Sequence, residues 1–138
     1  MNVPITAADL DRYHDQGYLI VRRAFSPERV QSLLDAVTAV SGSGPAYVFY
    51  LVECMAEAGR KCGLPADLAM RLARATVTGA GELMHRSPDG AATLRQNVTS
   101  PNGTTAAALA VLMGDDGIQP LFDKALKAAA ERSRELAG

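Results

Sequence analysis

The long helix expected between Pro45 and Cys62 is apolar almost all round in its first half. Val48, Leu51, Val52, Met55, Ala58 and Cys62 make one stripe, while Tyr47, Phe49, Tyr50 and Cys54 lie off it. A helix of this kind is buried on several sides, so the segment demands neighbours in more than one direction. The chain has little bulk with which to supply them. It contains 24 alanines among 138 residues, no tryptophan and only 5% aromatic residues. A core of such small side chains is thin unless helices approach closely or a second chain contributes. The length suits one ordinary domain, and 48% hydrophobic with 21% charged residues is a globular composition.

Charge excludes several classes of function. Fourteen basic and fifteen acidic residues leave a net charge of −1, with no basic or acidic arm on either side of Ala36, which argues against a dedicated nucleic-acid binder. The longest apolar runs fall short of a bilayer span, and Met1 to Ala8 lacks the basic start and apolar stretch of a secretion signal. Cys54 and Cys62 sit on one expected helix, about 12 Å apart along its axis at 1.5 Å per residue, too far to bridge within it. Two free thiols without an export signal fit a cytoplasmic protein.

Thr6-Ala7-Ala8-Asp9 is a capping-box variant opening a helix to about Asp15, stopped by Gly17. Tyr18-Leu19-Ile20-Val21 reads as a strand bounded by Gly17 and Arg22-Arg23. Ser26-Pro27-Glu28 begins a second helix, with Val30, Leu33, Leu34 and Val37 on one stripe. Ser41 to Gly44 is a break, and Pro45 then starts the long apolar helix. Gly63-Leu64-Pro65 separates it from the next, Ala66 to about Arg86, with Leu68, Leu72, Ala75, Gly79 and Leu83 in register. Thr76 to Gly81 is poor helix material; it marks either a site where another helix comes very near or a kink. Short helices follow over Ala91–Val98 and Thr104–Met113, and a last one over Ile118–Leu136.

Little in this pattern is catalytic machinery. Only His14 and His85 are present, and neither stands in a metal-binding spacing. A nucleophile elbow fails at Ser43 because Ser41 stands where glycine is needed. A dinucleotide fingerprint begun at Gly42 and Gly44 would need glycine where Tyr47 stands. No metal site and no cofactor-binding site is therefore expected in this chain. What remains is Asn97 to Thr105, a hydroxyl-rich loop emptying into a helix start, with Asn102-Gly103 as its turn. Such a start offers unpaired amides and the positive end of the helix dipole, suited to a carboxylate or phosphate. On pattern alone the plainer reading, a capped helix start with no ligand, is the favoured one.

From about Asp35 onward the chain resembles the C-terminal domain of pyrroline-5-carboxylate reductase. The resemblance rests on Asp35 through Tyr47 (DAVTAVSGSGPAY), Gly63-Leu64-Pro65, Val98 through Thr105 (VTSPNGTT) and Glu131 through Leu136 (ERSREL). It implies a mostly α fold, an intertwined helical dimerisation domain, here preceded by a short helix-strand-helix segment. It also implies a homodimer, which can assemble further, and the family's reaction: NADPH- or NADH-dependent reduction of 1-pyrroline-5-carboxylate to L-proline in proline biosynthesis. By that resemblance Ser100, Gly103, Thr104 and Thr105 receive the substrate carboxylate. The Thr105 hydroxyl lies near the imine nitrogen and counts as catalytic. Asn102 stands where many members have glycine, a tolerable change because asparagine accepts the left-handed conformation.

The resemblance also implies a dinucleotide-binding domain, which these residues do not supply, so the chain alone is expected to be inactive. Residues 1–36 form an appendage and 37–138 the reductase-like domain. Ile5 through Leu10, Gly17 through Val21 and Phe25 through Glu28 resemble the opening of a phytanoyl-CoA dioxygenase-like protein. The two resemblances meet near Leu34 to Val37 inside one helical pattern, as in a chimera. The other expectation is a chimeric helical oligomerisation module with no ligand.

Overall fold

The computed structural model describes residues 5–21 and 24–137. Seven α-helices follow one another: α1 (Ala7–Gln16), α2 (Pro27–Val37), α3 (Gly44–Lys61), α4 (Ala66–Arg86), α5 (Ala91–Asn97), α6 (Thr104–Leu112) and α7 (Ile118–Ala137). The expected mostly α fold is what is found. The strand is not: among the described residues there is none, and Tyr18 to Val21 run without regular structure. Tyr18 and Ile20 point to solvent, and a lone segment with no second strand to bond gains nothing from β geometry. Arg22-Arg23 lie outside the described residues, as do residues 1–4.

Local signals set the helix limits. Thr6 and Asp9 close a reciprocal capping box, Thr6 N–H donating to Asp9 Oδ2 at 3.0 Å and Asp9 N–H to Thr6 Oγ1 at 3.3 Å. Those bonds from Thr6 hold the Asp9 carboxyl below its ordinary pKa. Ser26 caps α2 by accepting from Arg29 N–H, with Pro27 at the first helical position. At the end of α3, Gly63 takes φ 100°. Leu64 N–H then reaches the Gly59 carbonyl and Gly63 N–H the Arg60 carbonyl, the paired bonds of a Schellman ending.

The expected break at Ser41–Gly44 is instead a change of pitch. Thr38–Gly42 forms a π-helical turn, with Ser43 N–H donating to the Thr38 carbonyl at 2.9 Å. A π turn carries one residue more than an α turn and disturbs the regular pairing of backbone groups. The Tyr47 hydroxyl donates to the Ala39 carbonyl at 3.1 Å, and its ring meets Phe122 of α7 edge to face at 6.2 Å. Tyr47, off the main apolar stripe of α3, thus ties three elements together.

Packing is concentrated in two places. α3 crosses α4, and α2 with the π turn packs on α7. Ala56 on α3 meets the side of α4 that carries Ala69 and Ala73, all three buried. A Cβ on Gly59 would lie 3.5 Å from Ala69 Cβ, so close approach occurs there. It does not occur at Thr76–Gly81 within this chain: α4 runs on without a break, and Gly79 and Gly81 face open space. The apolar stripe of α4 is also open. Leu72 and Leu83 are 48% and 49% exposed, because the face turned to α3 lies about a quarter-turn round the helix at 100° per residue. The same is true of Val48, Leu51 and Met55 on α3, and of Val30, Leu33, Leu34 and Val37 on α2.

Only four apolar residues, Ala39, Ala56, Ala69 and Ala73, are buried among those described. The chain of 14.5 kDa exposes 11199 Å², whereas a compact monomer of that mass exposes about 6,900 Å². The helices are therefore laid out with their apolar sides available.

Candidate functional site

The loop between α5 and α6 is built by short-range bonds. α5 ends with Thr99 turning back: its N–H donates to the Gln96 carbonyl at 3.0 Å and its hydroxyl to the Arg95 carbonyl at 2.6 Å. That hydroxyl is occupied and leaves the donor set. Ser100 through Gly103 form a turn closed by Gly103 N–H to the Ser100 carbonyl at 3.0 Å. Proline at its second position and Asn102 at φ 57° at its third are the marks of a type II turn. Asparagine thus occupies the left-handed position anticipated for it. Gly103 is the cap residue of α6, and a Cβ there would crowd the Ser100 carbonyl at 3.2 Å.

Behind the turn the start of α6 is open. Gly103 has no side chain to cap it, and the first bond of the helix is Ala107 N–H to the Gly103 carbonyl at 3.1 Å. Among the described residues the amides of Thr104, Thr105 and Ala106 have no acceptor, and the hydroxyls of Ser100, Thr104 and Thr105 are equally unengaged. Thr105 is half-buried while Ser100 and Thr104 are exposed. Ser100, Gly103, Thr104 and Thr105 therefore gather within one turn and one helical start. Three free amides at the positive end of a helix can take a carboxylate.

What the sequence did not reveal is how far this loop stands from the rest of the chain. Neither α5 nor α6 packs substantially on another element among the described residues. Val111 and Met113 are exposed at the far end of α6. Its apolar character on all sides was the available signal.

A shallow concavity of 210 Å³ lies elsewhere, between α3 and α4, lined by Glu53, Glu57, Arg60 and Met70 among others. There Arg60 grips Glu57 through two bonds of 2.7 and 2.8 Å and, with Lys61 nearby, brings its carboxyl down to about 2. Cys54 and Cys62 are free and exposed. No described helix is long and apolar enough to cross a membrane.

An all-helical chain with so thin a core and so much open apolar surface has the build of an assembly domain. Comparison with known proteins makes the class specific. Residues 31–136 match the family described as pyrroline-5-carboxylate reductase dimerisation, and the chain belongs to that family. It is 49% identical over 107 residues to a pyrroline-5-carboxylate reductase of Pseudomonas aeruginosa, covering 78% of this chain and 39% of the relative. An Arabidopsis thaliana reductase is 43% identical over 106 residues, covering 77% and 38%. The chain thus spans about two fifths of the length of these curated relatives.

Solved structures agree. A pyrroline-5-carboxylate reductase from Coxiella burnetii superposes with a TM-score of 0.72 at 41% identity, covering 76% of this chain and 38% of that one. A Plasmodium falciparum pyrroline carboxylate reductase with NADP bound gives 0.71 at 28% identity, covering 99% and 51%. The family match begins inside α2, so this helix runs unbroken from the N-terminal segment into the family domain.

Proposed function

We propose that this chain is the dimerisation and substrate-binding half of a pyrroline-5-carboxylate reductase, an enzyme that reduces 1-pyrroline-5-carboxylate to L-proline in cytoplasmic proline biosynthesis. The observation that carries the reading is the open start of α6, whose three unpaired amides lie directly behind the Ser100–Gly103 turn. The substrate carboxylate is received there by the amides of Thr104 and Thr105 and the hydroxyls of Ser100 and Thr104, with Gly103 leaving room. The Thr105 hydroxyl, one residue into the helix, faces the ring nitrogen, where charge changes during reduction.

A homodimer, able to assemble further, completes the core. The open α4 stripe of Leu72, Ala75, Gly79 and Leu83 is its central seam, and Gly79 lets a partner helix come near. The excess exposed area, roughly 4,000 Å² per chain, is more than enough for the share of an obligate interface that one partner contributes, about 1,000–2,500 Å².

The reaction needs NADPH or NADH as hydride donor, and these residues do not fit one. Gly42 and Gly44 lie within the helical run from Pro27 to Lys61 rather than at a strand-to-helix turn where a pyrophosphate is held. Nicotinamide binding is therefore assigned to residues outside this sequence, in the same polypeptide or another, and the 138 residues alone do not turn over. Residues 1–36, with their likeness to the start of a phytanoyl-CoA dioxygenase-like protein, are the foreign part of a chimera.

Titrating L-proline into the labelled chain is expected to shift amide resonances of residues 100–106, while NADPH with pyrroline-5-carboxylate gives no consumption. An unshifted loop in a dimeric protein would reduce the chain to an assembly module without a ligand.

A further inference from the structure

Asp35 is the one charged side chain buried among the described residues, 2% exposed. Its Oδ1 is well supplied, accepting from Ser133 Oγ of α7 at 2.7 Å and from Gln31 Nε2 of α2 at 3.1 Å. Its Oδ2 is equally buried and accepts nothing. A buried carboxylate oxygen without a donor is costly, and a donor stands close by. Arg134 Nε lies 4.0 Å from Oδ2, just beyond bonding reach. That nitrogen instead makes a long 3.3 Å bond to the Ala130 carbonyl of its own helix. The Arg134 side chain is largely solvent-exposed, and among the described residues that long bond is its only hydrogen bond.

We propose that Arg134 is a strap with two positions, open on the Ala130 carbonyl and closed on Asp35 Oδ2, and that closure pins the last turns of α7 onto α2. A rotation about the side-chain bonds exchanges a long neutral-acceptor bond for a short charge-assisted one. It also satisfies the orphaned oxygen. Ser133 already holds the other oxygen, so adjacent residues of α7 then grip both sides of one carboxylate. The charged end of α7 becomes a tie. Because α2 carries residues 5–25 ahead of it and the π turn behind it, the strap governs how firmly the N-terminal segment is joined to the helical domain.

Hydrogen exchange of the full chain tests this, comparing Arg134→Gln with Arg132→Gln. Arg132 is a neighbour on the same helix that pairs with Glu135 at 2.7 Å. Arg134→Gln is expected to speed exchange of amides 131–136 roughly tenfold, the effect of losing a hydrogen bond to a charged group; Arg132→Gln leaves them nearly unchanged. Asp35→Asn should abolish the difference, so that adding Arg134→Gln to it does nothing more. Equal effects of the two arginine variants, or additive effects of Asp35→Asn and Arg134→Gln, overturn the proposal. If Asp35→Asn does not fold, the comparison of the two arginine variants decides it alone.

Discussion

Shortening both leucines of the open α4 stripe, in the variant Leu72→Ala/Leu83→Ala, measures directly how much of this protein's stability comes from a second copy. Both side chains are about half exposed in the single chain. The buried half is lost equally by monomer and dimer and cancels from the association constant. The exposed half is what a partner would cover. Full burial of a leucine stabilises by about 1.5–3 kcal/mol, so the outstanding half is about 1 kcal/mol for each. A two-fold axis presents four such side chains, giving roughly 3–6 kcal/mol of association free energy. That is a weakening of the dimer by about 10²- to 10⁴-fold. Sedimentation equilibrium across a range of protein concentrations gives the constant for parent and variant. Arg74→Ala, on an exposed part of the same helix, serves as the control. A parent chain that sediments at its monomer mass of 14.5 kDa refutes the reasoning outright. So does a variant that dimerises as tightly as the parent.

Three further outcomes are expected. Tyr47→Phe leaves the Ala39 carbonyl beside the π turn without its donor and should cost about 1–2 kcal/mol, read as a lower urea midpoint at fixed protein concentration, whereas Tyr50→Phe should cost nothing measurable. Asn102→Ala puts an alanine at a left-handed position and should lose about 1 kcal/mol and weaken L-proline binding, while Asn102→Gly should retain both; urea melts with ligand titration distinguish them. The Glu57 carboxyl should titrate near pH 2 by carbon-detected NMR. Because its pKa is lowered on folding, its pairing with Arg60 stabilises above the ordinary glutamate range and is lost as pH falls toward 2. Arg60→Ala should return its titration to the ordinary range.

Local chemistry made much of the helical order readable. Thr6 with Asp9, Ser26 with Pro27, Gly63 before Pro65, and Pro101-Asn102 each act within a few residues, and each is where its letters indicate. Facing is a different matter. The stripe of Leu68, Leu72, Ala75, Gly79 and Leu83 is genuinely apolar, but α4 also carries the small face of Ala69 and Ala73. Periodicity alone does not tell which face meets α3. The large apolar residues define the more conspicuous period, while the contact inside the chain is made by alanines that allow close approach. Tyr18 to Val21 misled for a related reason: β-branched and aromatic letters describe suitability for a sheet, and suitability forms no strand without an edge to pair with. The site loop was legible in its turn and its helix start. Its separation from the body of the chain was not, because separation depends on packing, and among the described residues α5 and α6 have little of it.

The cap of α2 carries a consequence for what can precede it in the chain. Ser26, Pro27 and Glu28 start the helix from within four residues, with the bond from Arg29 N–H closing the first turn. Among the described residues no upstream hydrogen bond takes part in that start. A helix whose beginning is specified so locally tolerates an exchange of whatever precedes it, since a new leader has neither to nucleate the helix nor to satisfy its first amides. An exchange of the residues ahead of Ser26 therefore leaves α2 and the helices that follow it undisturbed.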